Sequence, residues 1–168
     1  MLAEFCTLSL YLIINTIKRK HFPRNLDDIF EFEKHFNDVN KYSISIKNVQ
    51  EVVSVSKNIE SLCKNNGIDS RRAMLAGLCM EEMAGNIVEH GFEKDNKEKT
   101  IDVFACVEND EVYLRLRDNC VPFDPKSKNE IYNPEDPCKN IGIRMVAKLA
   151  KEMNYQPTFG MNVLSIKL

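Results

Sequence analysis

The chain has 168 residues, enough for one domain with its own core, and its 43% hydrophobic and 29% charged residues are a balance typical of soluble globular proteins. A formal net charge of −2 argues against nucleic acid as a partner, although a single site could still be locally basic. The six cysteines form no CxxC pair and no zinc-like spacing with histidine, so they are interpreted as free thiols in a reducing cytoplasm.

Residues 1–22 form an apolar segment with a basic flank. The apolar run 1–17 is interrupted by Glu4 and Asn15, and the basic residues follow it within 18–24. A signal peptide carries its positive charge before the apolar run, so this order argues against one. A spanning helix needs about 20 apolar residues, slightly more than this run offers. Two interpretations stay open: a helix docked on the domain or on a second copy in a homodimer, or a membrane anchor or remnant with a cytoplasmic flank.

A polar linker, residues 23–41, separates this segment from the predicted domain, residues 42–168. Alternation over 42–46 predicts a strand, and 49–66 predicts a helix that Gly67 ends. Asp69 is a suitable N-cap for a second helix that continues to about residue 90, with Gly91 as its stop. Residues 100–107 and 111–117 predict a hairpin around a turn at 109–110.

The C-terminal part begins with residues 119–139, which contain four prolines and predict a long loop of the kind that is usually functional or mobile. Residues 140–153 predict a third helix, and 155–159 and 163–168 predict a second hairpin. This element order predicts an α/β fold of the α+β type. It would be a two-layer sandwich with helices on one face of a mixed, mostly antiparallel sheet.

Three short segments contain residues that could bind a ligand or take part in catalysis. Glu82 and Asn86 are four residues apart and share one face of the second helix, although the pair alone would also suit a solvated face. Asp118 ends a strand before the proline-rich loop, where ordinary turn chemistry would explain it equally well. Gly142 lies at the start of the third helix, where backbone N–H groups and the helix dipole favour a phosphate. The glycine alone would also suit an ordinary helix start.

Together and in this order, the segments resemble the Bergerat nucleotide site shared by gyrase, heat-shock chaperone, histidine-kinase and mismatch-repair ATPases. The resemblance covers roughly residues 40–168 and looks closest to the serine kinases that act as anti-sigma factors. The helix signature of that branch, Glu-x-x-x-Asn followed by His-Gly-aromatic, corresponds here to Glu82, Asn86, His90, Gly91 and Phe92. The box Asp-x-Gly-x-Pro-Phe-Asp-Pro matches residues 118–125 except at Cys120.

The resemblance implies a role for each matching position. Asn86 would hold a Mg²⁺ ion that bridges the triphosphate of ATP, and Glu82 would orient or deprotonate the attacking nucleophile. Asp118 would accept a hydrogen bond from the adenine amino group and thereby reject guanine. Residues 126–139 would form a lid over the phosphates. The remaining implied nucleotide contacts are Cys120, Phe123, Asn140, Ile141, Gly142 and Ile143.

Two positions depart from the family pattern. Cys120 stands where the family has a glycine beside the adenine, so its side chain could crowd the base or require another backbone angle. Asn140 stands where the first glycine of the last box usually lies, and asparagine tolerates left-handed backbone better than most residues. His90 is interpreted as a cation at a helix end rather than as a ligand or base.

The resemblance implies a cytoplasmic protein serine/threonine kinase that regulates a protein partner, either a sigma factor or an anti-anti-sigma-like protein. The main alternative is a non-catalytic ATP-sensing module associated with a membrane protein, to which only the N-terminus points. A domain that binds partners without nucleotide is a further alternative. The catalytic half of a histidine kinase is disfavoured, because His21 and His35 are each followed by phenylalanine rather than by an acidic residue.

Overall fold

The part of the chain that the computed structural model describes comprises residues 40–92, 99–122, 124–125, 140–158 and 160–168. All of these residues belong to one unit of the chain, Asn37–Leu168. The predicted N-terminal segment 1–22, the linker up to residue 39, Phe123 and the predicted lid 126–139 lie outside the described residues. No helix within the described part is long and apolar enough to cross a membrane.

The described elements are three helices and five strands, and the strands form one sheet. In chain order they are β1 (Lys41–Ile46), α1 (Val49–Asn65), α2 (Ser70–Gly91), β2 (Ile101–Glu108), β3 (Glu111–Asp118), α3 (Ile141–Leu149), β4 (Glu152–Thr158) and β5 (Met161–Lys167). The strand order is β1-β2-β3-β5-β4, and each of the four described pairings is antiparallel. The predicted α+β sandwich is therefore confirmed. The sheet was predicted to be mixed and mostly antiparallel, and all of its described pairings are antiparallel.

The helices α1 and α2 form because their apolar residues repeat at helical spacing and their first turns are capped. Asn48 accepts a hydrogen bond from the backbone N–H of Glu51 at the start of α1, and Asp69 accepts two at the start of α2. The two helices pack on each other and on the strands. Their buried side chains join those of the sheet in one hydrophobic core, which includes Val55, Ile59, Met80, Leu114 and Leu116.

The β2–β3 hairpin brings Asp118 to one edge of this core. Asn109 and Asp110 connect the strands with φ angles of 51° and 61°, the left-handed pair of conformations that suits a two-residue hairpin. The register that follows from this turn pairs Ile101 with Asp118. On the other side of β3, Asp118 lies directly opposite Asn162 of β5.

The last helix is shorter than the sequence pattern predicts. It was predicted to continue to residue 153, but α3 ends at Leu149, and Ala150 has an extended backbone with ψ 128°. Glu152 already pairs with Lys167, and Met153 is buried on the sheet. Pairing with β5 thus outweighs the helical pattern of these residues, because the strand buries Met153 and satisfies its backbone at the same time.

Candidate functional site

A cavity lies between the C-terminal half of α2 and the ends of β3 and β5. Met83, Asn86 and Ile87 line it from the helix, and Asp118, Tyr155 and Asn162 line it from the strands. Cys120 and His90 are also part of the wall. The fold therefore brings Asn86, Asp118 and Cys120 together from segments that are far apart in the sequence. His90 was interpreted only as a helix-end cation, yet it also faces this cavity.

The Asp118 carboxylate is held by hydrogen bonds to one of its two oxygens. Asp118 is only 5% exposed, and a charge in such a place requires donors. Its Oδ1 accepts the backbone N–H of Cys120 at 2.9 Å and the side-chain amide of Asn162 at 2.8 Å. Among the described residues, Oδ2 accepts no hydrogen bond. It is therefore the atom that a ligand N–H could use.

Asn162 and Tyr155 extend this arrangement across the sheet. The amide nitrogen of Asn162 also donates to the carbonyl oxygen of Cys120 at 3.0 Å, and its Oδ1 accepts the Tyr155 hydroxyl at 2.9 Å. Neither residue was predicted from the sequence. The available signal was an asparagine on the inward face of a strand, in register with the apolar Leu164 and Ile166.

Asn86 lines the cavity with an amide side chain. Its Nδ2 donates to the backbone carbonyl of Glu82 at 2.6 Å, which leaves Oδ1 as its acceptor atom. Oxygen is the ligand atom that Mg²⁺ prefers. The described residues contain no group of three or more His, Cys, Asp or Glu side chains able to hold a metal. Because Mg²⁺ usually takes one or two protein ligands besides phosphate oxygens and water, Asn86 fits this ion.

Glu82 lies one helical turn before Asn86 and contacts the first turn of α3. A β-carbon added to Gly142 would lie only 2.7 Å from the carboxyl carbon of Glu82 and would overlap its Oε2. Only glycine therefore lets the two helices approach this closely with the carboxylate between them. The structure thus brings together Glu82 and Gly142, which the sequence placed in separate motifs.

The start of α3 has no side-chain cap. Asn140 adopts the left-handed conformation with φ 53° and ψ 34°, and its side chain makes no capping hydrogen bond. Backbone N–H groups of a first helical turn have no partner within the helix. At this end they belong to Ile141, Gly142 and Ile143, which makes it suitable for an anion. Within the described residues, none of these three residues lines the cavity itself.

The Cys120 side chain packs against the end of α2. It is 8% exposed, and a β-carbon at Gly91 would lie 2.8 Å from both its Cβ and its Sγ. Gly91 was predicted to stop the helix, but α2 includes it and Phe92 follows in a right-handed conformation. The glycine is needed here for the close approach of Cys120. The thiol fills this contact and also lines the cavity in which crowding of a base was predicted.

Comparison with known proteins identifies a family for most of the chain. Residues 47–168 match the family described as the histidine kinase-like ATPase domain. Among solved structures, the chain is similar to the histidine kinase domain of the Erythrobacter litoralis EL346 blue-light activated histidine kinase, with 16% identity and a TM-score of 0.46. That likeness covers 71% of this chain and 59% of the other. No curated protein matches the sequence significantly.

Proposed function

Because this chain belongs to the family of histidine kinase-like ATPase domains, which bind ATP, we propose that it is a Mg²⁺-dependent protein serine/threonine kinase of the anti-sigma-factor type. Its substrate would be a regulatory protein, either a sigma factor or an anti-anti-sigma-like protein. The observation that supports this most directly is the placement of Glu82 and Asn86. Asn86 lines the cavity that contains Asp118, and Glu82 lies one turn away against the start of α3.

At the base end of the proposed site, Asp118 selects the nucleotide. Its Oδ2 would accept a hydrogen bond from the adenine amino group. Guanine carries a carbonyl oxygen at that place, so two acceptors would face each other in a nearly buried position. Cys120 would line the same end, and Phe123, which lies outside the described residues, would adjoin it.

At the phosphate end, Asn86 would hold the ion and the start of α3 would contact phosphate oxygens. Mg²⁺, when bound, neutralises charge on the phosphoryl group during transfer. Backbone amides from Asn140 to Ile143 would cradle the phosphates, and Glu82 would orient the hydroxyl of the protein substrate. The hydroxyl oxygen forms a bond to the γ-phosphorus, the bond to the bridging oxygen of ADP breaks, and the proton passes to Glu82.

The proposal is tested by capture of a partner from the native host with and without ATP, followed by mapping of phosphorylated residues. Glu82→Ala should leave Mg²⁺-ATP binding nearly intact and abolish phosphorylation. Asn86→Ala should remove the Mg²⁺-dependent part of ATP binding, which titrations with and without the ion would measure. Glu81→Ala, the neighbouring acidic residue on α2, is the matched control and should change neither property.

A second candidate function is a non-catalytic ATP-sensing module associated with a membrane protein, which the apolar N-terminal segment followed by basic residues favours. If the parent protein binds ATP but transfers phosphate to none of the captured partners, this candidate replaces the kinase. If neither Glu82→Ala nor Asn86→Ala changes binding or transfer, the residue assignments at the phosphate end are wrong.

A further inference from the structure

We propose that Tyr155 is a positioning residue for base selectivity, which acts on Asp118 through the side-chain amide of Asn162. The inference rests on the proposed function, since it takes the ligand of the cavity to be an adenine nucleotide. The three side chains come from neighbouring strands in the order β4, β5 and β3. They form a continuous hydrogen-bonded chain from the Tyr155 hydroxyl to the Asp118 carboxylate.

The orientation of the Asn162 amide is determined by its partners. Its amino group donates to Asp118 Oδ1 at 2.8 Å and to the carbonyl oxygen of Cys120 at 3.0 Å. Both partners accept hydrogen bonds and cannot donate them. A reversed amide would place its oxygen against two other oxygens in a nearly buried position. The carbonyl of Asn162 must therefore point toward Tyr155.

The Tyr155 hydroxyl supplies the donor that this carbonyl needs. Asn162 is only 5% exposed, so water is a poor substitute for the 2.9 Å bond from Tyr155. Donation to an amide oxygen polarises the group and strengthens the hydrogen bonds that its N–H atoms donate. Tyr155 therefore supports the bond from Asn162 to Asp118, although the structure shows no hydrogen bond between Tyr155 and the carboxylate.

The hydrogen bonds of Asn162 and Asp118 determine which of their atoms remain for a base. With both its hydrogens in use, the Asn162 amide has none to offer a ligand, and Asp118 Oδ1 is held by two donors. Of the carboxylate and amide atoms of these two side chains, Asp118 Oδ2 alone makes no hydrogen bond to the described residues, and this acceptor suits an amino group of the base. Without the Tyr155 hydroxyl, the Asn162 carbonyl would lose its donor, and the amide would hold Asp118 Oδ1 less firmly. The carboxylate could then turn more freely, and its discrimination against a carbonyl-bearing base would weaken.

The experiment compares ATP with inosine triphosphate, which carries a carbonyl in place of the adenine amino group. Dissociation constants for both would be measured by calorimetry on the full chain and on Tyr155→Phe. We expect the preference for ATP to fall by about threefold to tenfold, the scale of one net hydrogen bond. Tyr42→Phe is the matched control, because the Tyr42 hydroxyl also bonds an asparagine, Asn58, at 3.1 Å on an exposed surface. It should leave the preference unchanged.

The measured preferences distinguish a failure of the role of Tyr155 from a failure of the proposed adenine site. A parent protein without preference for ATP would refute the adenine assignment of the cavity itself. A selective parent whose preference survives in folded Tyr155→Phe would overturn the role of Tyr155 alone. If Tyr155→Phe does not fold, Asn162→Leu removes the same hydrogen-bonded chain at similar volume and should lower the preference equally. An unchanged preference in that variant would also overturn the inference.

Discussion

Asp118 divides its two carboxylate oxygens between the protein and the cavity. Oδ1 accepts the Cys120 N–H and the Asn162 amide, and both bonds are shorter than 3 Å. Two donors on one oxygen restrain rotation of the carboxylate, so the direction of Oδ2 is determined before any ligand arrives. A preorganised acceptor of this kind can contribute to affinity without the cost of ordering it on binding.

Substitution of Asp118 tests this acceptor directly. Asp118→Asn should weaken ATP binding by about 1–3 kcal/mol, the scale of a hydrogen bond to a charged group. Calorimetry on the variant and its parent would measure the loss. Asp110→Asn is the matched control, because Asp110 lies in the β2–β3 turn with φ 61°, which asparagine tolerates. Equal affinity of the parent for ATP and GTP would contradict the selective role of Asp118.

The contact between Gly91 and Cys120 gives a second prediction. Gly91→Ala places a methyl group 2.8 Å from the Cys120 side chain, so it should lower the free energy of unfolding by about 1–3 kcal/mol. Cys120→Gly opens this space, and the double variant should recover most of that loss in urea denaturation. Simple additivity of the two changes would show that the two residues do not restrict each other.

The same cysteine substitution bears on nucleotide binding. Cys120→Gly alone should tighten ATP binding, because it removes a side chain from the cavity wall. Looser or unchanged binding in a stably folded variant would show that the site has adapted to the thiol.

At the scale of elements, the helices α2 and α3 meet with the Glu82 carboxylate between them. Gly142→Ala would force the flexible end of this side chain to move, since the added methyl overlaps it. Stability should change by less than about 1 kcal/mol, because the better helix propensity of alanine offsets part of the strain. Phosphorylation of the partner should fall strongly, since the carboxylate is displaced.

Gly85→Ala on α2 is the control for this prediction. Gly85 has no atom within 4 Å of an added β-carbon, so alanine there should stabilise the helix by about 0.5–1 kcal/mol and leave transfer unchanged. Thermal denaturation and a phosphorylation assay would measure both variants. A Gly142→Ala protein with full activity would show that the position of Glu82 against α3 does not matter for transfer.

At the scale of the whole molecule, three buried thiols make stability depend on alkaline pH. Burial raises the pKa of Cys63 to about 11 and of Cys79 and Cys106 to about 12, from the ordinary thiol value of 9.0. The folded state therefore keeps its thiol protons at pH values where the unfolded chain releases them. This contribution to stability is complete below pH 9 and is lost as the pH rises from 9 toward 11 or 12.

Urea denaturation in the presence of a reductant would test this dependence. The midpoint should fall between pH 7 and about pH 10.5, and it should fall less in a variant with alanine at all three positions. The alanine variant will be less stable at every pH because of its cavities, so the comparison concerns the slope with pH. Equal slopes would mean that the thiols do not cause the alkaline loss.

Much of this molecule follows from local patterns in its sequence. Apolar residues at helical spacing and the caps Asn48 and Asp69 determine α1 and α2, and two residues with left-handed backbone determine the β2–β3 hairpin. The order of elements then limits the fold to a two-layer sandwich. The nucleotide family was likewise readable, because its three motifs occur in order. The roles assigned to Glu82 and Asn86 stay predictions.

Only the tertiary structure decided the contacts between segments that are distant in the chain. The end of α3 depends on pairing of Glu152 with Lys167, and the need for Gly91 depends on the packing of Cys120. Asn162 donates hydrogen bonds to Asp118, which lies 44 positions earlier in the chain, and to Cys120, which lies 42 positions earlier. Such contacts are set by strand register and by the distance between packed elements. No local pattern encodes the register or the packing distance, because the same short segment could pair with several other segments of the chain until the fold selects one.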